Sequence, residues 1–256
     1  MGAVALPPVV IGRGLSATQA IHTTGIVVAL ASEAGTLTSH ATKPGHVTAL
    51  TDGAALCLGG MGPIAARHAA EMLIDAGATA LAVFGVAGAL STHLRNGALF
   101  CPECVLDEEG HTYYTDLEWR IRLQQRLATS LPADGALLSV TSPLLTAVAK
   151  ARAHQRYEAL AVDMESAAVA AVAEKHGLPL LVLRAIVDEC DDLIPEALNG
   201  SVDAWGRPRP LKLMAAFCRH PSLLGELPRL YSRMQRATQA LRAVAAAAGP
   251  SLGWHR

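Results

Sequence analysis

LAVDMESAAVAAVAEKHGLPLLVLRAIVDECDD, residues 160–192, runs strand, acid, helix, strand, acid within one βαβ unit. Residues 159–162 are a short apolar run. The alanine-rich segment 164–176 has helical composition, and Gly177 followed by Pro179 supplies the usual end of a helix. Residues 180–187 are a second apolar run, of the length of a buried parallel strand. Glu165 and Asp188 therefore fall just past the carboxyl ends of two successive strands, the rim at which open α/β sheets bind ligands. Each acid also has a plainer reading. One in a first helical turn offsets the macrodipole, Asp163 can cap the same helix, and one after a strand can begin a loop.

Working outward, apolar runs at 25–30, 50–58, 80–86, 98–105 and 137–140 predict further strands. Residues 64–76, opening near Pro63, and 117–129 have helical spacing. Ser142-Pro143 predicts a helix start running to about residue 152, and residues 211–248 read as helical and basic on one face. The alternation predicts a single three-layer α/β domain over residues 25–198, its mixed, mostly parallel sheet flanked by helices. Residues 1–24 are read as a lead-in. Residues 199–256 are read as a turn-rich loop, NGSVDAWGRPRP, and C-terminal helices that pack on the same domain.

The chain has 256 residues, 51% of them hydrophobic, and a formal net charge of −1. That is ample for a core, and it gives no electrostatic reason to expect nucleic acid as a partner. The uncharged run 76–94 holds three glycines and reads as helix end, strand and turn, not a span. Five cysteines without framework spacing fit a reduced, cytoplasmic setting. Cys101 and Cys104 form a lone C-x-x-C, with His93 and His111 nearby, and no metal site is assigned. Gly60-Met61-Gly62-Pro63-Ile64-Ala65 fits a dinucleotide-binding turn, but the acid expected about twenty residues later is replaced by Phe84-Gly85-Val86.

VDMESAA at 162–168 and RAIVDECDD at 184–192 resemble the paired signature of the nucleoside phosphorylase and nucleosidase superfamily, V-[ED]-M-E-[AS] followed one βα unit later by R-x-[IV]-[SN]-D. GIVVALASEAGTL (25–37), GGMGPIAA (59–66) and VFGVAGAL (83–90) resemble that superfamily's first strand and two glycine turns. The wording is closest to the hopanoid-associated phosphorylases, which resemble adenosylhopane-cleaving enzymes. The resemblance implies cleavage of an N-glycosidic bond, with Asp188 meeting the leaving base and Glu33 activating water. An aspartate that donates a proton at neutral pH needs apolar walls, and Ile186 and Val187 fit that need. Glu165 would hold the ribose hydroxyls, with Met164, Asp163 and Val162 beside it. Met61 and Gly62 would line the nucleoside pocket, Val86, Ala87 and Gly88 would let a flat base approach the backbone, and Leu144 would cover the purine face.

Three departures stand out. Val187 replaces the usual Ser or Asn, Asp163 is a methylene shorter than the frequent glutamate, and residues 80–84 lack the arginine with which phosphorylases hold phosphate. Arg13 and Arg67 remain as anion ligands, and Arg184 sits too near the strand interior to assign. Water is therefore the expected nucleophile and no cofactor is expected, phosphate staying open as a co-substrate. Adenosylhopane leads as substrate, ahead of methylthioadenosine or adenosylhomocysteine, with a free purine nucleoside third. The 205–210 loop and residues 211–214 offer a greasy mouth for a lipid-linked nucleoside, and with it peripheral contact with a membrane. The resemblance also implies a homo-oligomer. A nucleoside-binding scaffold is the non-catalytic alternative, against which the survival of all three acids counts.

Overall fold

The computed structural model describes residues 24–128, 131, 134–195, 201–220 and 223–254. The lead-in, apart from Thr24, and residues 199–200 of the expected boundary lie outside these. Among the described residues ten strands form one mixed sheet flanked by helices. At its centre β1 (Thr24–Val28) lies parallel between β3 (Ala54–Leu58) and β4 (Ala80–Ala89). β2 (Val47–Ala49) forms an antiparallel hairpin with β3. The run expected as one strand at 50–58 is broken there, because Asp52 and Gly53 both adopt positive φ (56° and 71°) and make a tight turn.

β4 is the strand on which the sheet forks. β10 (Leu180–Asp188) runs parallel along one edge of it, from Leu81 to Gly88. On the other edge β1 pairs with residues 80–83, whereas β9 (Ala159–Asp163) pairs antiparallel with Gly88 and Ala89. Neither pairs with residues 84–87, so a notch opens in the sheet beside Val86. β9 continues through β8 (Ala136–Ser139) to β6 (Cys104–Leu106) and β7 (Thr112–Tyr114). β5 (Leu99–Phe100) pairs with β10. The run expected at 98–105 is two strands because Pro102, which cannot donate to a ladder, falls inside it.

Alternation along the strands loads both faces. Val27, Val83, Val182 and Ile186 pack under α2 (Pro63–Asp75) and α5 (Ser166–Lys175). Ile26, Val28, Phe84, Leu181 and Leu183 point the other way, toward α1 (Ala31–Leu37), α3 (Leu117–Arg126) and α7 (Leu223–Ala248). Each fully buried Leu or Phe contributes about 1.5–3 kcal/mol of transfer free energy. The C-terminal run is two helices, α6 (Pro210–Arg219) and α7, and α7 lays Ala237, Leu241 and Val244 on the sheet. Trp119 Nε1 donates to Leu252 O at 2.8 Å and its ring meets Trp254 at 4.8 Å, which ties the chain's end to α3.

The segment after β1 is the short helix α1, which Glu33 anchors by accepting from the Leu30 N–H, and one expected helix start is corrected. The helix expected to open at Ser142-Pro143 is α4 (Ala147–Tyr157). It starts later because the Thr146 hydroxyl accepts from Ala149 N and caps it.

Candidate active site at the sheet fork

The notch beside β4 is the floor of a cleft. It is lined by Glu33, Met61, Val86, Ala87, Gly88, Leu144, Val162, Asp163, Met164, Glu165 and Asp188, among others. Every residue assigned above to the catalytic acids or the nucleoside pocket therefore borders it except Gly62. Gly62 lines the adjoining hollow and reaches the cleft by donating its N–H to Glu165 Oε1 at 2.8 Å. Pro143 and Leu144 face the cleft from the extended segment before α4.

Glu33 is 1% exposed, so it is not the solvated turn acid that its position allows. Its Oε2 accepts from Ala29 N (3.0 Å) and Leu30 N (2.8 Å), and its Oε1 from Val86 N (2.8 Å). The fork explains the third bond: Val86 N–H has no partner strand on that edge, and a buried N–H must find an acceptor. Burial raises the Glu33 pKa, while Arg184 and the three N–H donors pull it back. A carboxylate offers about four acceptor sites, so roughly one remains for a ligand.

Glu165 opens α5. Burial, and then the neighbouring Asp163 charge, push its pKa up to about 7, while Arg184 draws it down. Asp163 is occupied otherwise. It accepts from Ser166 N and from Ser166 Oγ (2.6 Å) and is ion-paired with Arg184, so its oxygens are spent on capping α5 and on holding a cation.

Arg184, unassigned from sequence, is 1% exposed. The strand alternation that turns Val182 and Ile186 toward α5 turns Arg184 the same way. The guanidinium therefore enters an apolar layer, where it must be paired. It meets Asp163 and lies 3.6 Å from Glu165 Oε2. A cation inside an apolar strand run was its signal in the sequence.

Asp188 reaches the cleft through an irregularity: the β4–β10 register shifts between Ile186 and Asp188, and Val187 takes up the slip. A Cβ on Gly88 would stand 2.9 Å from Asp188 Oδ2, so only glycine admits the carboxylate there. The walls are not apolar alone. Lys150, wholly buried on α4, donates to Asp188 Oδ2 and, at 2.7 Å, to Glu189 O. Asn96 Nδ2 donates to Ile186 O and Val187 O, both at 3.1 Å, and pins the slipped segment. Neither Lys150 nor Asn96 has a signature in the sequence.

Across the mouth, Ala31 N donates to Trp205 O (3.0 Å) and Met61 N to Ala204 O (2.7 Å), so the 203–206 turn straps both loops that border the cleft. Arg67 lines a separate hollow with Asp107 and His111, and Arg13 lies outside the described residues. Among the described residues one group, the half-buried Asp107 with the exposed Glu109 and His111, brings three metal-type ligand atoms within 4.8 Å of one another, and Cys101 and Cys104 are not in it. None of the described helices is long and apolar enough to cross a membrane.

The sequence profile of the phosphorylase superfamily matches residues 23–219. No curated protein matches the chain. Among solved structures, futalosine hydrolase of Helicobacter pylori is 18% identical, with a TM-score of 0.62 over 88% of this chain and 98% of that one. The 5′-methylthioadenosine/S-adenosylhomocysteine nucleosidase of the same organism is 17% identical, with a TM-score of 0.61 over 89% and 99%. The corresponding nucleosidase of S. pneumoniae, held with a transition-state inhibitor, is 19% identical, with a TM-score of 0.61 over 88% and 99%.

Proposed function

We propose, from the premise that this chain belongs to the phosphorylase superfamily, that it hydrolyses the N-glycosidic bond of an adenine nucleoside. One observation carries the proposal: Glu33, Glu165 and Asp188 converge on one cleft, and none of the described residues lining that cleft is an arginine or a lysine. Arg184 and Lys150 stand behind it, each already paired with an acid. Such a site favours a sugar that becomes cationic and disfavours phosphate as the attacking group. The solved nucleosidases of the same fold support the choice of water.

In this mechanism the vacant acceptor site of Glu33 takes the proton of the attacking water as its oxygen bonds to the anomeric carbon. Burial raises its pKa, which makes this carboxylate a stronger base than a solvated glutamate. Glu165 accepts from the ribose hydroxyls and, when ionised, offsets the charge growing on the sugar. Asp188 faces the leaving base and passes it a proton drawn from solvent as the glycosidic bond breaks, and Glu33 then returns the proton it took from water to solvent. Met164, Val162 and Leu144 exclude water around the ring.

Among substrates we favour adenosylhopane, followed by 5′-methylthioadenosine and S-adenosylhomocysteine. Met61 borders both the cleft and an adjoining, largely apolar hollow formed with Pro63, Ile64 and Met72, and Ile64 is 85% exposed. That hollow offers room for a bulky apolar 5′ substituent. The test is release of adenine from each of the three, with and without phosphate. Equal rates in both conditions are expected, and strict phosphate dependence would overturn hydrolysis.

A further inference from the structure

We infer that Lys150 is a positioning residue for Asp188, which rests on reading Asp188 as the group that meets the leaving base. Lys150 is 0% exposed, while Lys43, Lys175 and Lys212 are all at the surface. It projects from α4 into a layer that also holds Ala153, Leu138 and Val162, where an apolar side chain would satisfy packing. Burying an ammonium there is costly unless something charged meets it. What meets it is the one acid at the end of β10 that opens onto the cleft. Nζ donates to Asp188 Oδ2 from behind and to Glu189 O, the next carbonyl of the chain.

The consequence is geometric and electrostatic. Gly88 presses on Asp188 from one side, with a Cβ there falling 2.9 Å from Oδ2 and 3.2 Å from Oδ1, and Lys150 holds Oδ2 from another. Oδ1, which does not meet Lys150, is the oxygen left for the base. The Asp188 side chain is 14% exposed, so a base filling the cleft removes the little water it has. Lys150 is then the charge that keeps the carboxylate in place, and it never touches the substrate. Fixing a catalytic group in this way acts on turnover more than on binding.

The experiment compares wild type, Lys150→Met and Lys150→Arg on whichever of adenosylhopane, 5′-methylthioadenosine or S-adenosylhomocysteine the wild type cleaves fastest. For Lys150→Met, kcat should fall about a hundredfold while KM changes less than about threefold, and Lys150→Arg should recover at least about tenfold of the loss. An unchanged kcat in folded Lys150→Met would overturn the inference and leave the hydrolase reading intact. So would equal losses in both variants, since that pattern marks packing and not charge. If Lys150→Met does not fold, Lys150→Arg decides: kcat within about tenfold of wild type supports the role, and a hundredfold loss removes it. A wild type that cleaves none of the three overturns the reading of the cleft itself, and the role of Lys150 with it.

Discussion

Glu165→Gln should flatten the pH dependence of stability. In the folded protein the Glu165 pKa rises from 4.5 to about 7, driven first by burial and then by Asp163. The unfolded chain therefore releases this proton at lower pH than the folded one. The contribution is fully present below pH 4.5, is lost as pH rises through 7, and is gone above it. At 1.36 kcal/mol per pKa unit, the loss between pH 4.5 and 8 is about 3 kcal/mol. Glutamine keeps an oxygen for the Gly62 N–H but turns an amide toward Arg184, which adds an offset that pH does not change. Glu33, also raised, tilts both proteins in the same direction. Urea denaturation followed by tryptophan fluorescence at pH 5 and pH 8 measures the difference between the two proteins at each pH. The variant should gain about 2 to 3 kcal/mol on wild type between the two measurements. A difference that stays constant within about 1 kcal/mol would show that Glu165 does not carry a raised pKa.

Two further outcomes are expected. Asp188→Asn should keep the fold, since its amide oxygen still accepts from Lys150, yet lose about 10²–10⁴ in kcat; a near-normal rate of adenine release would remove Asp188 from the chemistry. Gly85→Ala places a Cβ 2.4 Å from Glu33 Oε1 and 2.7 Å from Arg184 Nη1, so it should cost about 1–3 kcal/mol and depress turnover with it. Gly35→Ala on α1, where a Cβ meets nothing within 4 Å, should instead stabilise by about 0.5–1 kcal/mol, and thermal melts of the two variants side by side check both signs.

The order of layers was legible in the sequence because it rests on local rules. Period-two and continuous apolar runs make strands, alanine-rich runs make helices, and Gly177 with Pro179 ends one. Those rules also set Glu165 and Asp188 at strand ends, but the glycine turn at 85–88 was read as room for a flat base, whereas the structure sets Glu33 and Asp188 against Gly85 and Gly88. Thr146 displaced Ser142 as a cap, and Pro102 split a strand, through single-residue effects that composition does not rank.

What tertiary structure alone decided is who faces whom. Whether the acids are bare or paired depends on Lys150, 38 residues from Asp188, and on Arg184, which the twofold strand alternation aims at Asp163. The sheet fork leaves Val86 N–H without a strand, and so draws Glu33 from 53 residues away. Electrostatic coupling falls with distance through space, and distance along the chain does not report it, so these pairings appear only once the sheet has closed around them.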